Sequence, residues 1–396
     1  QLPCVGCVEA VAVEVGTLAF GQQVEFGVLR TQFGKGLAPE LVGHLLGRVA
    51  AETVHALGQP PVDHVIDLAA QRYAAELMGK FRGALIAMDV HDGSIRCLYS
   101  SPSYDPNPLT WGISNKEWAA LTDHVERPMM NRAISGAYPP ASTFKVITGT
   151  AILENKIANR NTKINCPGWF ELGNRRFRCW KRSGHGKENV TDALRDSCDV
   201  YFYELASKMG VRKLMETEEK FGVGRKTGID LSGEASGTLP GPEWKKRRIK
   251  ESWYGGDTVN NSIGQGYVLM TPLQVVRVYA ALANGGKLLK PRLNTAASVE
   301  SDPLGVDPAV LRVIKQGVEE VTKSGTGRIA SSFGVRVAGK TGTAQNSQGD
   351  DHAWFAGYAP VDNPRYAVVA IAEAGKAGSS LTGPMGGKML SFLING

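Results

Sequence analysis

Between residues 65 and 78, apolar side chains recur at helical spacing (Val65, Leu68, Ala69, Tyr73, Leu77), which predicts a helix with one buried face. Two strand-like runs follow, residues 84–90 and 94–99, joined through Asp92-Gly93, a pair suited to a tight hairpin. Residues 115–290 read mostly as helix and loop. Towards the C-terminus, residues 335–340, 353–358 and 366–372 read as three more strands, and a closing helix is expected after Gly387. Strands at both ends of a helical middle predict an α+β fold. Its expected form is one five-stranded antiparallel sheet flanked by helices, carrying a large helical insertion. Residues 1–61 are rich in Gly, Val and Leu and end in Gln59-Pro60-Pro61. They read as a short N-terminal appendage, and residues 62–396 as the main domain.

Composition changes this picture little. The 396 residues are 42% hydrophobic and 21% charged, which excludes a disordered, collagenous or coiled-coil chain. A net charge of +7 suits an anionic partner without naming one. No nucleic-acid module is visible and the charge is spread along the chain, so nucleic acid is not expected as a partner. The basic clusters Lys245-Lys246-Arg247-Arg248, Arg175-Arg176 and Lys181-Arg182 read as solvated loops. No apolar run reaches the roughly 18 residues of a membrane span, and the start has no signal-peptide pattern. Beginning at Gln1, the chain reads as a trimmed ectodomain.

Three short patterns carry chemistry. Pro139-Pro140-Ala141 precedes Ser142-Thr143-Phe144-Lys145 and an apolar helical run, so Ser142 is expected at the positive end of a helix with Lys145 one turn on, on the same face. That suits a serine nucleophile activated by a lysine amine; alone, it equally describes a serine cap and an exposed lysine. Ser197-Cys198-Asp199 falls in a break between two predicted helices, where a polar S-x-D would be held rigidly or would simply cap a helix. Gly339-Lys340-Thr341-Gly342-Thr343 lies at the end of a predicted strand, where lysine and threonines beside an unhindered Gly342 suit a carboxylate. Lys226-Thr227-Gly228 repeats the triplet without a preceding strand and reads as a loop.

Together, in this order, the three patterns resemble the S-x-x-K, S-x-N and K-T-G motifs of the penicillin-binding protein and serine β-lactamase superfamily. The likeness is greatest to elongation-type class B penicillin-binding proteins. Further stretches that carry it are residues 101–107, 221–224, 227–231 and 261–266, together with Trp354-Phe355-Ala356-Gly357-Tyr358. It covers about residues 62–390, and residues 1–60 resemble a shortened remnant of the family's N-terminal pedestal. Family members carry one N-terminal membrane anchor, for which these residues offer no apolar run. The departure is Asp199 where the superfamily commonly has Asn, a residue that elongation-type members share. A carboxylate there would hold Lys145 charged, so Asp199 is expected to pair elsewhere or to face the substrate amide.

The resemblance implies a β-lactamase/transpeptidase-like fold and a peptidoglycan D,D-transpeptidase acting in cell elongation. Ser142 would attack the bond between the two D-alanines of a stem peptide and Lys145 would take its proton. Ser197 would relay a proton to the leaving amine, and Lys340, Thr341, Gly342 and Thr343 would hold the terminal carboxylate. The backbone N–H groups of Ser142 and Thr343 would form the oxyanion hole. β-Lactams would acylate Ser142. Implied partners are stem peptides, a SEDS-family glycosyltransferase and rod-shape scaffold proteins, at the periplasmic face of a bacterial inner membrane. The same-chemistry rival is a serine β-lactamase or penicillin-sensing receptor, in which Glu234 would activate a deacylating water; a catalytically silent cell-wall module is the other.

Six cysteines are present, and Cys4-Val-Gly-Cys7 is a weak pair with no assigned role. Cys166, Cys179, His185 and Cys198 follow the spacing Cys-x12-Cys-x5-His-x12-Cys in a glycine-rich segment. Such a ligand set suits a closed tetrahedral structural zinc ion (Zn2+), and some elongation-type relatives resemble this sequence in holding a metal there. Three free or buried cysteines with a surface histidine, and a Cys166–Cys179 disulfide, are the competing readings.

Overall fold

A computed structural model describes residues 64–346 and 349–396. The expected appendage and Cys4 and Cys7 lie outside them. The chain opens with helix α1 (Leu68–Met78), which starts three residues later than the apolar pattern suggested because the Asp67 carboxylate accepts the Ala70 N–H at 3.0 Å and caps it. Strands β1 (Gly83–Asp89) and β2 (Ile95–Ser101) form the predicted hairpin. Strands β3 (Ala338–Ala344), β4 (His352–Ala359) and β5 (Tyr366–Ala372) complete a five-stranded antiparallel sheet in the order β2-β1-β5-β4-β3. The sheet is therefore built from the two ends of the domain, as expected.

β1 and β5 read as nearly unbroken apolar runs because both faces of the sheet are covered. Alternation along β1 divides two cores: Ala84, Ile86 and Met88 face the larger, and Leu85 and Ala87 the smaller. The larger core is closed by helix α2 (Lys145–Glu154), α3 (Val190–Arg195), α4 (Asp199–Met209), α5 (Val211–Lys220), α7 (Gly255–Asn261), α8 (Pro272–Ala283) and α9 (Pro308–Lys323), all within the insertion between β2 and β3, where α6 (Pro242–Arg248) also lies without joining that core. The smaller core lies between the sheet, α1 and the closing helix α10 (Thr382–Asn395).

Two boundaries differ from expectation for a physical reason. α10 begins five residues before Gly387, because its glycines are sites of close approach rather than helix breakers. A Cβ on Gly386 would lie 2.1 Å from the Phe355 ring, and one on Gly387 would lie 2.3 Å from the Ala330 carbonyl oxygen. Within the helical middle, residues 164–188 form two small antiparallel ladders, Ile164–Cys166 with Gly186–Glu188 and Trp169–Leu172 with Arg175–Arg178. These ladders bring Cys166 and His185 together.

Candidate active site

β3 is an edge strand, and the Lys340-Thr341-Gly342 triplet lies in its middle, not at its end as expected. Trp354, Phe355 and Ala356 of β4 pair with Gly342, Thr341 and Lys340, so the strand continues through the triplet to Ala344. Thr341 and Thr343 suit a strand, and the sequence pattern misplaced it because Lys340 is polar yet fully buried. The outer edge of β3 faces the start of α2. A Cβ at Gly342 would sit 3.4 Å from both the Ser142 amide nitrogen and the Ala141 Cβ, so glycine lets the strand lie against the serine's backbone.

Ser142 belongs to a 3-10 turn, Ala141–Phe144, which leads into α2 instead of opening it directly. The turn is held from outside. The Ala141 N–H donates to the Gly264 carbonyl at 2.8 Å, and the Tyr279 hydroxyl donates to the Thr143 carbonyl at 3.0 Å. Ala141 and Ser197 both have left-handed backbones, φ +50° and +56°, which non-glycine residues adopt only where their surroundings enforce it. Both lie beside the Ser142 hydroxyl or its backbone.

The S-x-D segment reaches the same place. Ser197 Oγ lies 3.1 Å from Ser142 Oγ, 2.9 Å from Lys340 Nζ and 3.3 Å from Lys145 Nζ. Both lysines are fully buried. Ser142, Lys145, Ser197, Asp199 and Lys340 are thus brought together, with Thr341, Gly342 and Thr343 along the adjoining strand edge.

Two expectations require correction. Asp199 does not pair elsewhere: its Oδ1 accepts from Lys145 Nζ at 2.7 Å, and its Oδ2 accepts the Trp180 N–H at 2.9 Å. A buried ammonium must be neutralised, and the S-x-D turn puts the Asp199 carboxylate within reach of Lys145. Nor is Lys145 hydrogen-bonded to Ser142 here; the Ser197 hydroxyl stands between them. Burial pushes the Asp199 carboxyl up, and the Lys145 charge opposes that shift. Lys340 is held well below the ordinary lysine range, first by burial and then by the Lys145 charge, with Asp199 and Asp196 acting against this. The site therefore holds one ion-paired lysine and one lysine poised to be neutral, both touching one serine hydroxyl.

Sequence reasoning missed three contributors. Trp180 acts through its backbone N–H, which no side-chain pattern reveals. Gln265 donates from Nε2 to the Thr343 carbonyl at 3.4 Å, and Thr326 lies with its hydroxyl 3.5 Å from that of Thr341. The second K-T-G triplet is a loop, as expected, but it also binds a carboxylate: the Thr227 N–H and hydroxyl and the Gly228 N–H all donate to Glu234, at 2.6, 2.5 and 3.2 Å. Glu234 is buried in this loop, so it is not placed to activate water at Ser142.

Behind the S-x-D turn, Cys166, Cys179, His185 and Cys198 present ligand atoms that all lie within 4.8 Å of one another. His185 Nδ1 is 3.6 Å from both the Cys166 and Cys179 sulfurs. A tetrahedral zinc with ordinary Zn–S and Zn–N lengths would place sulfur and nitrogen about 3.6 Å apart, so the four residues fit such an ion. The cluster touches the active site directly, since the Asp199 N–H donates to the Cys179 sulfur at 3.4 Å.

The sequence profile of the family described as penicillin binding protein transpeptidase domain matches residues 83–391. Peptidoglycan D,D-transpeptidase MrdA of Haemophilus influenzae is 38% identical over 88% of this chain and 57% of its own length. The Escherichia coli K12 protein of the same name is 38% identical over 80% of this chain and 55% of its own. The chain thus spans little more than half the length of these curated relatives. Among solved structures, Pseudomonas aeruginosa PBP2 in complex with WCK 5153 superposes with a TM-score of 0.79 at 35% identity, covering 84% of this chain and 76% of that one. Helicobacter pylori PBP2 in complex with MreC gives 0.81 at 35% identity, covering 84% and 64%. A profile match across most of the described residues, on the sheet and serine–lysine cluster found here, means that this chain belongs to the penicillin-binding protein transpeptidase domain family.

Proposed function

We propose that the chain carries the acyl-transfer centre of a peptidoglycan D,D-transpeptidase of the elongation type, with Ser142 as nucleophile. The observation that carries this reading is the hydrogen-bonded group Ser142–Ser197–Lys340/Lys145 beside an open strand edge. Ser142 Oγ bonds to the carbonyl carbon between two D-alanines, and its proton leaves through Ser197 Oγ towards a buried lysine. Ser197 returns that proton to the amine of the departing D-alanine. The backbone N–H groups of Ser142 and Thr343 receive the oxyanion, and Thr341 holds the terminal carboxylate with Lys340, which donates to it as an amine and attracts it once it carries the proton. An amine of a second stem peptide then resolves the ester. β-Lactams occupy the same place and leave a slowly hydrolysed ester.

Glu234 disfavours the β-lactamase reading, since its carboxylate is engaged by Thr227 and Gly228. The intact serine–lysine cluster disfavours a silent module. Intact-protein mass after exposure to penicillin tests the reading: one acyl adduct mapped to Ser142 is expected, absent from Ser142→Ala. Labelling that survives in that variant would place the nucleophile elsewhere.

Relatives named MrdA, and a PBP2 solved with MreC, support a place in the elongation machinery at the periplasmic face of the inner membrane. Among the described residues no helix is long and apolar enough to cross a membrane. A structural zinc held by Cys166, Cys179, His185 and Cys198 belongs to the same reading. When bound, it cross-links the 164–188 ladders to the S-x-D turn.

A further inference from the structure

The basic cluster Lys245-Lys246-Arg247-Arg248 divides in two. Lys245 is buried and neutralised by Asp257 at 2.8 Å and Glu251 at 3.5 Å. Glu243, at the start of α6, pairs with Arg212. Arg247 and Arg248 are exposed and enter no ion pair among the described residues; with Trp244, Gly237, Thr238 and Leu239 they line a pocket of about 650 Å³. No carboxylate lines it. The pocket joins two guanidinium groups to an aromatic face backed by Tyr267, whose ring centroid lies 5.4 Å from that of Trp244.

The pocket is tied to the active site by one short segment. Gly264 accepts the Ala141 N–H beside Ser142, and the Gln265 side chain reaches the Thr343 carbonyl on the β3 edge. Tyr267 backs Trp244, and Leu269 bridges to Thr238 in the pocket lining. Five residue steps from Gly264 to Leu269 span at most about 18 Å, the reach of an extended peptide of about five residues. A substrate added antiparallel to β3, with its terminal carboxylate at Lys340 and Thr341, runs past Thr343 towards Gln265 and so towards this pocket.

We propose that the Trp244–Arg247–Arg248 pocket is a subsite for an acidic peptide, receiving the side-chain carboxylates of the substrate several residues before the scissile bond. The proposal rests on reading Ser142 as the acyl-transfer centre and adds to it the basis for selecting acidic peptides. Each guanidinium presents a planar fork that fits a carboxylate, and the Trp244 face packs on the intervening aliphatic chain.

The test compares wild type with the Arg247→Gln/Arg248→Gln double variant. Three reporters are used: a fluorescent penicillin, a stem pentapeptide with free side-chain carboxylates, and the same peptide with those carboxylates amidated. Penicillin acylation should be equal in both proteins. kcat/KM for the acidic peptide should fall about tenfold or more in the variant, and the amidated peptide should be handled alike by both. Equal kcat/KM for the acidic peptide, or an equal loss for the amidated one, would overturn the subsite. Calorimetric titration with the acidic tripeptide that lacks both D-alanines reads the pocket independently of the serine. Binding should weaken about tenfold in the variant, and unchanged affinity would likewise overturn the proposal. Absence of penicillin acylation in wild type would instead overturn the reading of Ser142, leaving the pocket to be judged by the tripeptide.

Discussion

Lys145 and Lys340 are chemically identical side chains in one buried site, and their surroundings give them different tasks. Lys145 is locked to Asp199, whereas Lys340 faces only the Ser197 hydroxyl and the Thr341 carbonyl. Lys340 is thereby the readier to accept a proton, and the Asp199 charge works against that readiness. Asp199→Asn keeps one acceptor oxygen for Lys145, loses the acceptor for the Trp180 N–H and removes the charge, so the acid limb of the acylation pH profile should move to lower pH by about one unit. A limb that stays in place or moves upward would rule this coupling out. The two K-T-G triplets supply a second contrast. Lys340→Ala should slow penicillin acylation roughly a hundredfold, and Lys226→Ala, on an exposed loop, less than about twofold. Stopped-flow acylation distinguishes them, and the reverse order would move the active-site edge. At this scale the residues of the site were legible, because S-x-x-K, S-x-D and K-T-G place functional groups at short fixed spacing. Their pairing was not, because the Asp199–Lys145 bond joins residues 54 positions apart.

Among the elements, β3 and α10 show where local pattern misleads. The strand continues through Lys340 because burial of that lysine is met by contacts from another segment. The glycines of α10 weaken a helix in isolation, yet Gly386 is required by the Phe355 ring beneath it and Gly387 by the Ala330 carbonyl. Gly386→Ala should therefore destabilise the domain by about 1–3 kcal/mol despite its better helix propensity, as thermal unfolding would show. A gain in melting temperature would contradict the close approach. The contact of α5 with α7 carries a pH signature of its own. Glu218 is fully buried and accepts from the Asn261 amide at 2.7 Å, while its second oxygen has no partner. Burial raises this carboxyl to about 8, with neighbouring Glu219 adding to the shift. A raised carboxyl favours the protonated folded state, so its stabilisation is present below the unfolded value near 4.5 and is lost as pH rises to about 8. Unfolding free energy should fall by about 1.4 kcal/mol per pH unit across that window from this group, and Glu218→Gln should flatten the slope. An unaltered slope in the variant would assign the pH dependence elsewhere.

For the whole molecule, the Cys166–Cys179–His185–Cys198 cluster lies directly behind the turn that carries Ser197 and Asp199. It sits where the two small ladders meet the S-x-D turn, and both Cys179 and the following Trp180 backbone contact Asp199. Protein prepared without chelator should contain about one zinc per chain, and chelation should lower the melting temperature and the acylation rate together. Metal-free protein with a Cys166–Cys179 bridge and unchanged stability would remove the site. Sequence alone determined the five segments of the main sheet, although it ended β3 too early, that they come from both ends of the domain, and which side chains gather at the candidate site. It could do so because strand periodicity and motif spacing are local properties of the chain. Only the tertiary structure decided that Lys145 is neutralised by Asp199, that Ser197 stands between Ser142 and the lysines, and that Glu234 is consumed by the second K-T-G loop. It also decided that Arg247 and Arg248, exposed as solvated charges should be, line a pocket with Trp244. Those outcomes depend on which distant charges and hydrogen-bonding groups folding brings within about 3 Å of each other, and no local pattern encodes that distance.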